Sequence, residues 1–218
     1  MKTSERILQT SLMLFNQEGE SHVTTVDVAN EMDISPGNLY YHFRGKEVII
    51  EALYIRFDES FTEILQAPVK KELSAEDSWY YLSVVFEEMY AYRFIYLNLD
   101  DLLQRYDFIQ KRFKRLFNLK FQTASALIRN LRSQGALVLD DYDAEVLANN
   151  IVMTVTYWIS FSSLKEGRQH EQQLLHKGVF QVLSLIAPYL GSGKAEYREF
   201  CEAFYSKAMH GELSPPSI

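Results

Sequence analysis

Apolar residues in this chain recur at the three-to-four-residue spacing of a helix, and the alternation typical of a β-strand is scarce. The clearest case is residues 46–66, where large apolar side chains follow at four-residue steps until Ala67 and Pro68 end the helix. The same pattern predicts further helices over 3–18, about 25–32, 36–43, 75–92, 94–104, 107–133, 142–165, 171–190 and 194–210. The chain is therefore predicted to be all-α, with about nine or ten helices.

The aromatic residues divide the chain unevenly. Of the 30 Phe, Tyr and Trp residues, only four lie in the first 50 positions. This change in composition predicts two domains. We expect an N-terminal three-helix domain over residues 1–46, with a helix-turn-helix at about 24–43, and a larger helical domain over 47–218.

Composition narrows the class of protein. Hydrophobic residues make up 47% of the chain and charged residues 23%, which is typical of a globular protein. The single cysteine, Cys201, excludes an internal disulfide framework and is expected to lie in the core. The most apolar run, 151–161, is shorter than the roughly 20 residues of a membrane span. We therefore expect a cytoplasmic protein without a membrane partner.

Residues 24–43 have the pattern of a helix-turn-helix. Two short predicted helices, about 25–32 and 36–43, are separated by a three-residue turn. Ser35 suits the position that caps the second helix, where a hydroxyl accepts from a free backbone amide. Pro36 suits the first helical position, where no amide partner is lost.

The second short helix is predicted to present polar and aromatic side chains outward. Leu39 and Phe43 lie four residues apart, so they form one inward face. The outward side chains are then Asn38, Tyr41 and His42, with Tyr40 on the flank. Such a face suits the major groove of DNA, since an asparagine can pair with a base edge and the other groups can donate to phosphates. The alternative is a helical hairpin with surface tyrosines and no partner.

Two further residues favour contact with phosphate. Gly37 lets the backbone approach a phosphate closely, and Lys46 stands beside the free amides at the start of the next helix, where it is predicted to clamp one. The net charge of −7 nevertheless argues against a surface coated with phosphate-binding lysines. The predicted contact with DNA must therefore depend mostly on the fit of the helix and on neutral hydrogen-bond donors.

Residues 24–53, TTVDVANEMDISPGNLYYHFRGKEVIIEAL, resemble the DNA-binding segment of the TetR family of bacterial transcriptional regulators. The matching features, in order, are Thr24-Thr25, Val28-Ala29, Ile34-Ser35, Gly37, Tyr40-Tyr41-His42-Phe43 and Lys46-Glu47. Asp33 departs from the family, which most often has glycine there. Because Asp tolerates the left-handed conformation better than most residues, we expect the turn to survive. The resemblance covers roughly residues 3–60.

This resemblance implies a function and a set of contacts. The residues expected at double-stranded operator DNA are Thr25, Ser35, Pro36, Gly37, Asn38, Tyr40, Tyr41, His42 and Lys46. By the same analogy, the C-terminal domain binds a small effector and forms a homodimer through helices 142–165 and 171–190. Both helices are apolar over more of their circumference than a one-sided surface helix needs, although central core helices would share that pattern.

Aromatic residues at helical spacing supply the candidates for an effector pocket. They are Phe86, Tyr90, Phe113, Phe117, Phe121 and Trp158. Such a lining would favour an apolar or amphipathic ligand, aromatic or acyl. The alternative is that these side chains only fill the core, which is the commoner role of an aromatic stripe.

Catalysis is not indicated. The acidic pairs are adjacent in sequence, so a helix turns them to different faces, and His170 and His176 are six residues apart rather than four. No enzyme activity, metal or cofactor is expected. The sequence favours a homodimeric repressor that a small molecule releases from its operator. An all-α binding protein for hydrophobic small molecules, without DNA contact, is the alternative, and a DNA shift assay would distinguish the two.

Overall fold

The computed structural model describes residues 2–67, 75–167 and 171–191, together with 199, 201–203, 205–207 and 210. The helices with defined bounds are α1 Thr3–Glu18, α2 Thr25–Glu31, α3 Pro36–His42, α4 Lys46–Gln66, α5 Ala75–Ala91, α6 Arg93–Leu97, α7 Leu99–Arg105, α8 Asp107–Ser133, α9 Asp141–Glu166 and α10 Glu171–Ile186. Short 3-10 turns at Glu20–His22 and Ala187–Tyr189 follow α1 and α10. The described residues include no strand, and the all-α prediction is confirmed.

Among the described residues, the helices differ from the predictions by more than a residue at either end in two places. The helix predicted over 94–104 is two helices, α6 and α7, because Asn98 between them leaves the helical conformation, with φ −128° and ψ 33°. Helix α10 ends at Ile186, four residues before the predicted end, since Pro188 disfavours continuation of the helix through the residue before it. Most of the helix predicted over 194–210 lies outside the described residues.

The chain divides into two compact units. The first unit contains residues 1–60 and 92–115, and the second contains 61–91 and 116–218. Helices α4 and α8 each begin in the first unit and end in the second. The predicted domain 1–46 is therefore smaller than the first packing unit, and its boundary remains a prediction about function.

The core of the first unit is built on aromatic contacts. Phe15 of α1 packs against Phe94 of α6, with ring centroids 5.5 Å apart, and the backbone amide of Phe94 donates to Asn16 Oδ1 at 3.0 Å. Phe57 of α4 meets Tyr96 edge to face at 5.9 Å. The buried carboxylate of Asp58 accepts from Arg112 and Arg115 of α8 at 2.9 and 2.7 Å. These contacts join α1, α4, α6 and α8, and α1 in turn packs against α2 and α3.

The second unit packs α10 against α5 and α9. Gly178 allows a close approach, because a Cβ atom there would lie 2.7 Å from Trp158 and 2.9 Å from Phe86. Cys201 is buried, as expected from the sequence. Within the part of the chain that the structure describes, no helix is long and apolar enough to span a bilayer.

Candidate nucleic-acid interface

Helix α2 begins at a capping box. Thr24 Oγ1 accepts from the backbone amide of Asp27 at 3.2 Å, and the backbone amide of Thr24 donates to Asp27 Oδ2 at 2.7 Å. The two residues therefore satisfy amides that the first turn of the helix would leave open. Hydrogen bonds from the Thr24 side chain and backbone lower the pKa of the Asp27 carboxyl.

The turn between α2 and α3 uses the left-handed residue that the sequence predicts. Asp33 has φ 54°, and it is the residue other than glycine with positive φ in the described chain. The amide of Ile34 then donates to the carbonyl of Ala29 at 3.0 Å, which closes the turn. Ala29 is fully buried, and its small side chain allows α2 and α3 to approach closely.

Helix α3 has the predicted cap and inward face. Ser35 Oγ accepts from the amide of Asn38 at 3.2 Å, and Pro36 occupies the first turn. Leu39 and Phe43 are buried, with 1% and 9% of their surface exposed. The spacing rule therefore assigned the inward side chains of this helix correctly.

The outward side of α3 is exposed in the first unit. Tyr41 exposes 84% of its surface and Tyr40 61%, and the ring of Tyr41 meets that of His42 edge to face at 5.2 Å. The other exposed residues of this face are Ser35, Pro36, Gly37 and Asn38, whereas Thr25 at the start of α2 is half-buried. We call Asn38, Tyr40, Tyr41 and His42 the reading face.

Gly37 is not required by the packing of this unit. Its φ lies outside the left-handed region, and an added Cβ atom would meet only Ser35 Oγ, at an ordinary distance of 3.9 Å. A methyl group would therefore fit within the folded chain. A need for glycine here would have to come from a partner that approaches the backbone.

Lys46 is placed differently from its predicted role. Its ammonium lies 2.8 Å from Glu20 Oε1 and also donates to the Glu20 carbonyl. Glu20 is fully buried and also pairs with Arg105, and Tyr106 Oη donates to it at 3.3 Å. Leaving Glu20 would remove one of the two cations that pair with this buried carboxylate, which is costly. We therefore do not expect Lys46 to serve as the phosphate clamp.

Arg44 is a cation that the sequence reading missed. It follows α3 directly, is exposed, and forms no ion pair with the described residues. Its position between Phe43 and Gly45 was the available signal, because a basic residue just after a reading helix can reach the DNA backbone. Arg44 is better placed than Lys46 to contact phosphate.

A cavity of about 50 Å³ lies in the second unit. Side chains of α4, α5, α8 and α9 line it, among them Leu65, Tyr81, Lys120 and Val155. None of the six aromatic residues predicted for an effector pocket belongs to this lining. The lining includes the charged residue Lys120 instead of the predicted stripe of aromatic residues.

The six predicted aromatic residues have other surroundings. Phe86 and Trp158 pack around Gly178, and Trp158 Nε1 donates to the carbonyl of Leu174 at 2.8 Å. Phe113 is buried and meets Tyr96 edge to face. The remaining three are Phe117, which is 40% exposed, and the half-buried Tyr90 and Phe121. The role of these six residues in an effector pocket stays a prediction.

Family models match both parts of the chain. Residues 7–53 match the bacterial regulatory proteins of the tetR family. Residues 56–197 match the TetR bacterial transcriptional repressor family. Together the two matches include the helix-turn-helix, α4 and the helices of the second unit.

Individual relatives agree with these matches. The crystal structure of a TetR-family transcriptional regulator from Marinobacter aquaeolei VT8 is 31% identical, covers 95% of this chain and 99% of its own, and superposes with a TM-score of 0.83. The SmeT repressor of Stenotrophomonas maltophilia, also solved with triclosan, shares the fold at 18% identity and a TM-score of 0.63, over 89% of this chain and 93% of its own.

A curated relative matches over a shorter segment. The probable HTH-type transcriptional regulator YttP of Bacillus subtilis is 26% identical over 87 residues, which span 40% of this chain and 42% of that protein. The match thus covers less than half of the relative's length. Because the two family models extend over most of the sequence, the chain belongs to the TetR family of bacterial transcriptional regulators.

Proposed function

We propose that this protein is a homodimeric repressor that binds operator DNA through α3 and leaves it when a small effector binds the second unit. The observation that carries the proposal is the reading face, four exposed polar or aromatic side chains on a helix whose opposite face is buried. Solvation alone gives no reason to expose two tyrosines side by side. A helix-turn-helix places such a face in the major groove.

Each residue of the interface has a distinct proposed role. Asn38 can bond the edge of an adenine, because its amide offers a donor and an acceptor together. The hydroxyls of Tyr40 and Tyr41 and the imidazole of His42 can donate to phosphates, and Arg44 adds a charge. Thr25, Ser35 and Pro36 set the starts of α2 and α3, so their contribution is to position the reading face.

The proposed dimer uses an apolar stripe along α9. Met153, Tyr157, Phe161 and Leu164 follow at steps of three or four residues, and each exposes between 50% and 90% of its surface. A contiguous apolar stripe of this length on a helix is typical of an association surface. A two-fold dimer would place two copies of α3 about 34–36 Å apart, or a multiple of this spacing, to meet successive major grooves.

A shift assay tests the proposal directly. The probe is the DNA upstream of the protein's own gene, and the competitor is unrelated DNA of equal length. We expect retention of the upstream probe, and its loss with Tyr41→Ala, whose exposed side chain contributes little to folding. Tyr142→Ala, which removes an exposed tyrosine of α9, is the matched control and should retain the upstream probe. Equal retention of both probes, or no retention, would overturn the operator-binding function.

A further inference from the structure

A lysine side chain lines the cavity of the second unit. Lys120 of α8 exposes only 4% of its surface, and its ammonium lies 3.3 Å from Thr156 Oγ1 and 5.4 Å from the centroid of the Phe61 ring. Of the eleven described lining residues, eight are apolar, and the remaining three are Lys120, Tyr81 and Thr123. Burial lowers the pKa of the Lys120 ammonium to about 7. The fold therefore carries a cation in surroundings that oppose its charge.

A second polar group at this cavity is incompletely satisfied. The hydroxyl of Tyr81, on α5, is buried and has no hydrogen-bond partner among the described residues. Burial raises the pKa of this phenol, so it remains a neutral donor at every physiological pH. A buried hydroxyl without a partner destabilises the fold, and a bound acceptor would remove that cost.

We propose that the effector is an amphipathic carboxylate, whose anionic head binds Lys120 and Tyr81 and whose apolar tail lies along the α5 and α9 side of the cavity. This inference rests on the proposed effector-binding function and names the chemical class of the ligand. A carboxylate offers two acceptor oxygens, which can pair with an ammonium and a phenol at once. The lining on that side includes Val85, Val152 and Val155, which suit an acyl or aryl tail.

The volume of the cavity limits the head that it can receive. A cavity of about 50 Å³ is small beside the roughly 300–1,000 Å³ of an ordinary ligand pocket. A carboxylate and its first carbon atoms fit that space. A longer tail requires the side chains around it to move, so affinity is expected to rise with chain length only until that rearrangement becomes costly.

The test compares an acid with a neutral ligand of the same shape. Calorimetry at pH 7 with octanoate and with octanamide separates the charge of the head from the burial of the tail. We expect octanoate to bind at least tenfold more tightly than octanamide. In Lys120→Met the octanoate affinity should fall to that of octanamide, while octanamide itself binds no more weakly. Lys114→Met, which replaces an exposed lysine of α8, is the matched control and should keep the wild-type preference.

Tyr81→Phe and a pH series sharpen the assignment. Loss of the phenol should weaken octanoate binding by about threefold to tenfold. Between pH 7 and pH 9 the octanoate affinity of the wild type should fall, because the carboxylate stays ionised while Lys120 in the ligand-free protein loses its proton. Tyr81 is the other titratable residue in the lining, and its raised pKa keeps it out of this range. Lys120→Met should show no such pH dependence.

The outcomes separate this inference from the proposed function. Equal affinities for octanoate and octanamide, or the absence of binding by either up to millimolar concentrations, would overturn the carboxylate assignment and leave operator binding standing. Octanoate binding that leaves the DNA shift unchanged would uphold the site and overturn its role in release. Thermal unfolding of each variant shows whether a lost affinity reflects a lost fold.

Discussion

Gly37 allows the fold and the DNA contact to be tested separately at one residue. Its added Cβ atom would meet no close neighbour, and alanine is the better helix former by up to about 1 kcal/mol. We expect Gly37→Ala to unfold in urea at the same or a higher concentration than the wild type. Its affinity for operator DNA should fall about tenfold, because the methyl group would stand where we propose that the backbone meets a phosphate. Unchanged affinity in an anisotropy titration would mean that no partner approaches this backbone.

Asn38 tests base reading. Its backbone amide bonds Ser35 Oγ, so the substitution to alanine keeps the cap and removes only the exposed amide side chain. We expect Asn38→Ala to weaken operator binding by about 1–3 kcal/mol while binding to unrelated DNA stays the same. Gln122→Ala, an exposed amide on α8, is the control. If the ratio of the two affinities equals that of the wild type, Asn38 reads no base.

Lys120 gives a stability prediction with a defined sign. Its pKa is about 7 in the folded protein and about 10.5 in the unfolded chain, so the unfolded chain binds more protons between these values. The free energy of unfolding should therefore rise as the pH rises from 7 towards 10. Relative to the wild type, Lys120→Met should raise the free energy of unfolding by about 3–5 kcal/mol at pH 6 and by little at pH 10. Urea unfolding at the two pH values measures this, and an equal effect at both would contradict a charged buried lysine.

Residue roles fixed by local rules were predictable, and those fixed by distant partners were not. The left-handed conformation of Asp33 and the inward Leu39 and Phe43 follow from turn chemistry and helical spacing. The pairing of Lys46 with Glu20 joins residues 26 positions apart, and no local pattern indicates it. The sequence could therefore place Lys46 at the start of α4 but not say where its ammonium would bind.

At the scale of elements, the stripe on α9 predicts the site of dimer formation. A glutamate in its centre should oppose association, because the contact would bury an unpaired charge. We expect Tyr157→Glu to sediment as a monomer at micromolar concentration, and we expect the wild type to sediment as a dimer under the same conditions. Val138→Glu places the same charge at another exposed apolar residue and should remain dimeric. A dimeric Tyr157→Glu, or a monomeric wild type, would exclude this interface.

Helix periodicity predicts which face is apolar, but it does not identify what that face meets. In α8, Lys120 lies on the same buried helix face as Leu116 and Ala124, which stand four residues before and after it. That spacing is the sequence signal for a buried lysine. The pocket prediction considered aromatic residues only and therefore did not include Lys120. Conversely, Phe86 and Trp158 converge on Gly178, a glycine on another helix. Spacing within one helix cannot show such a contact.

At the scale of the whole molecule, two helices belong to both units. Helix α4 starts just after α3 and ends at the residues beside the cavity, where Leu65 contributes to the lining. Helix α8 likewise begins in the first unit and carries Lys120 in the second. A ligand that favours one arrangement of these helices can therefore change how the dimer presents its two copies of α3. The required coupling is the difference in ligand affinity between the two states.

Such coupling must be reciprocal. If a carboxylate weakens operator binding by some factor, operator DNA must weaken carboxylate binding by the same factor, which corresponds to about 1–3 kcal/mol in typical cases. We therefore expect octanoate titrations of the operator complex to give a dissociation constant about 5–150 times that of the free dimer. A duplex of equal length and unrelated sequence is the control and should leave the affinity unchanged. Identical octanoate affinities with and without operator would mean that α4 and α8 transmit no signal from this cavity, even if the ligand occupies it.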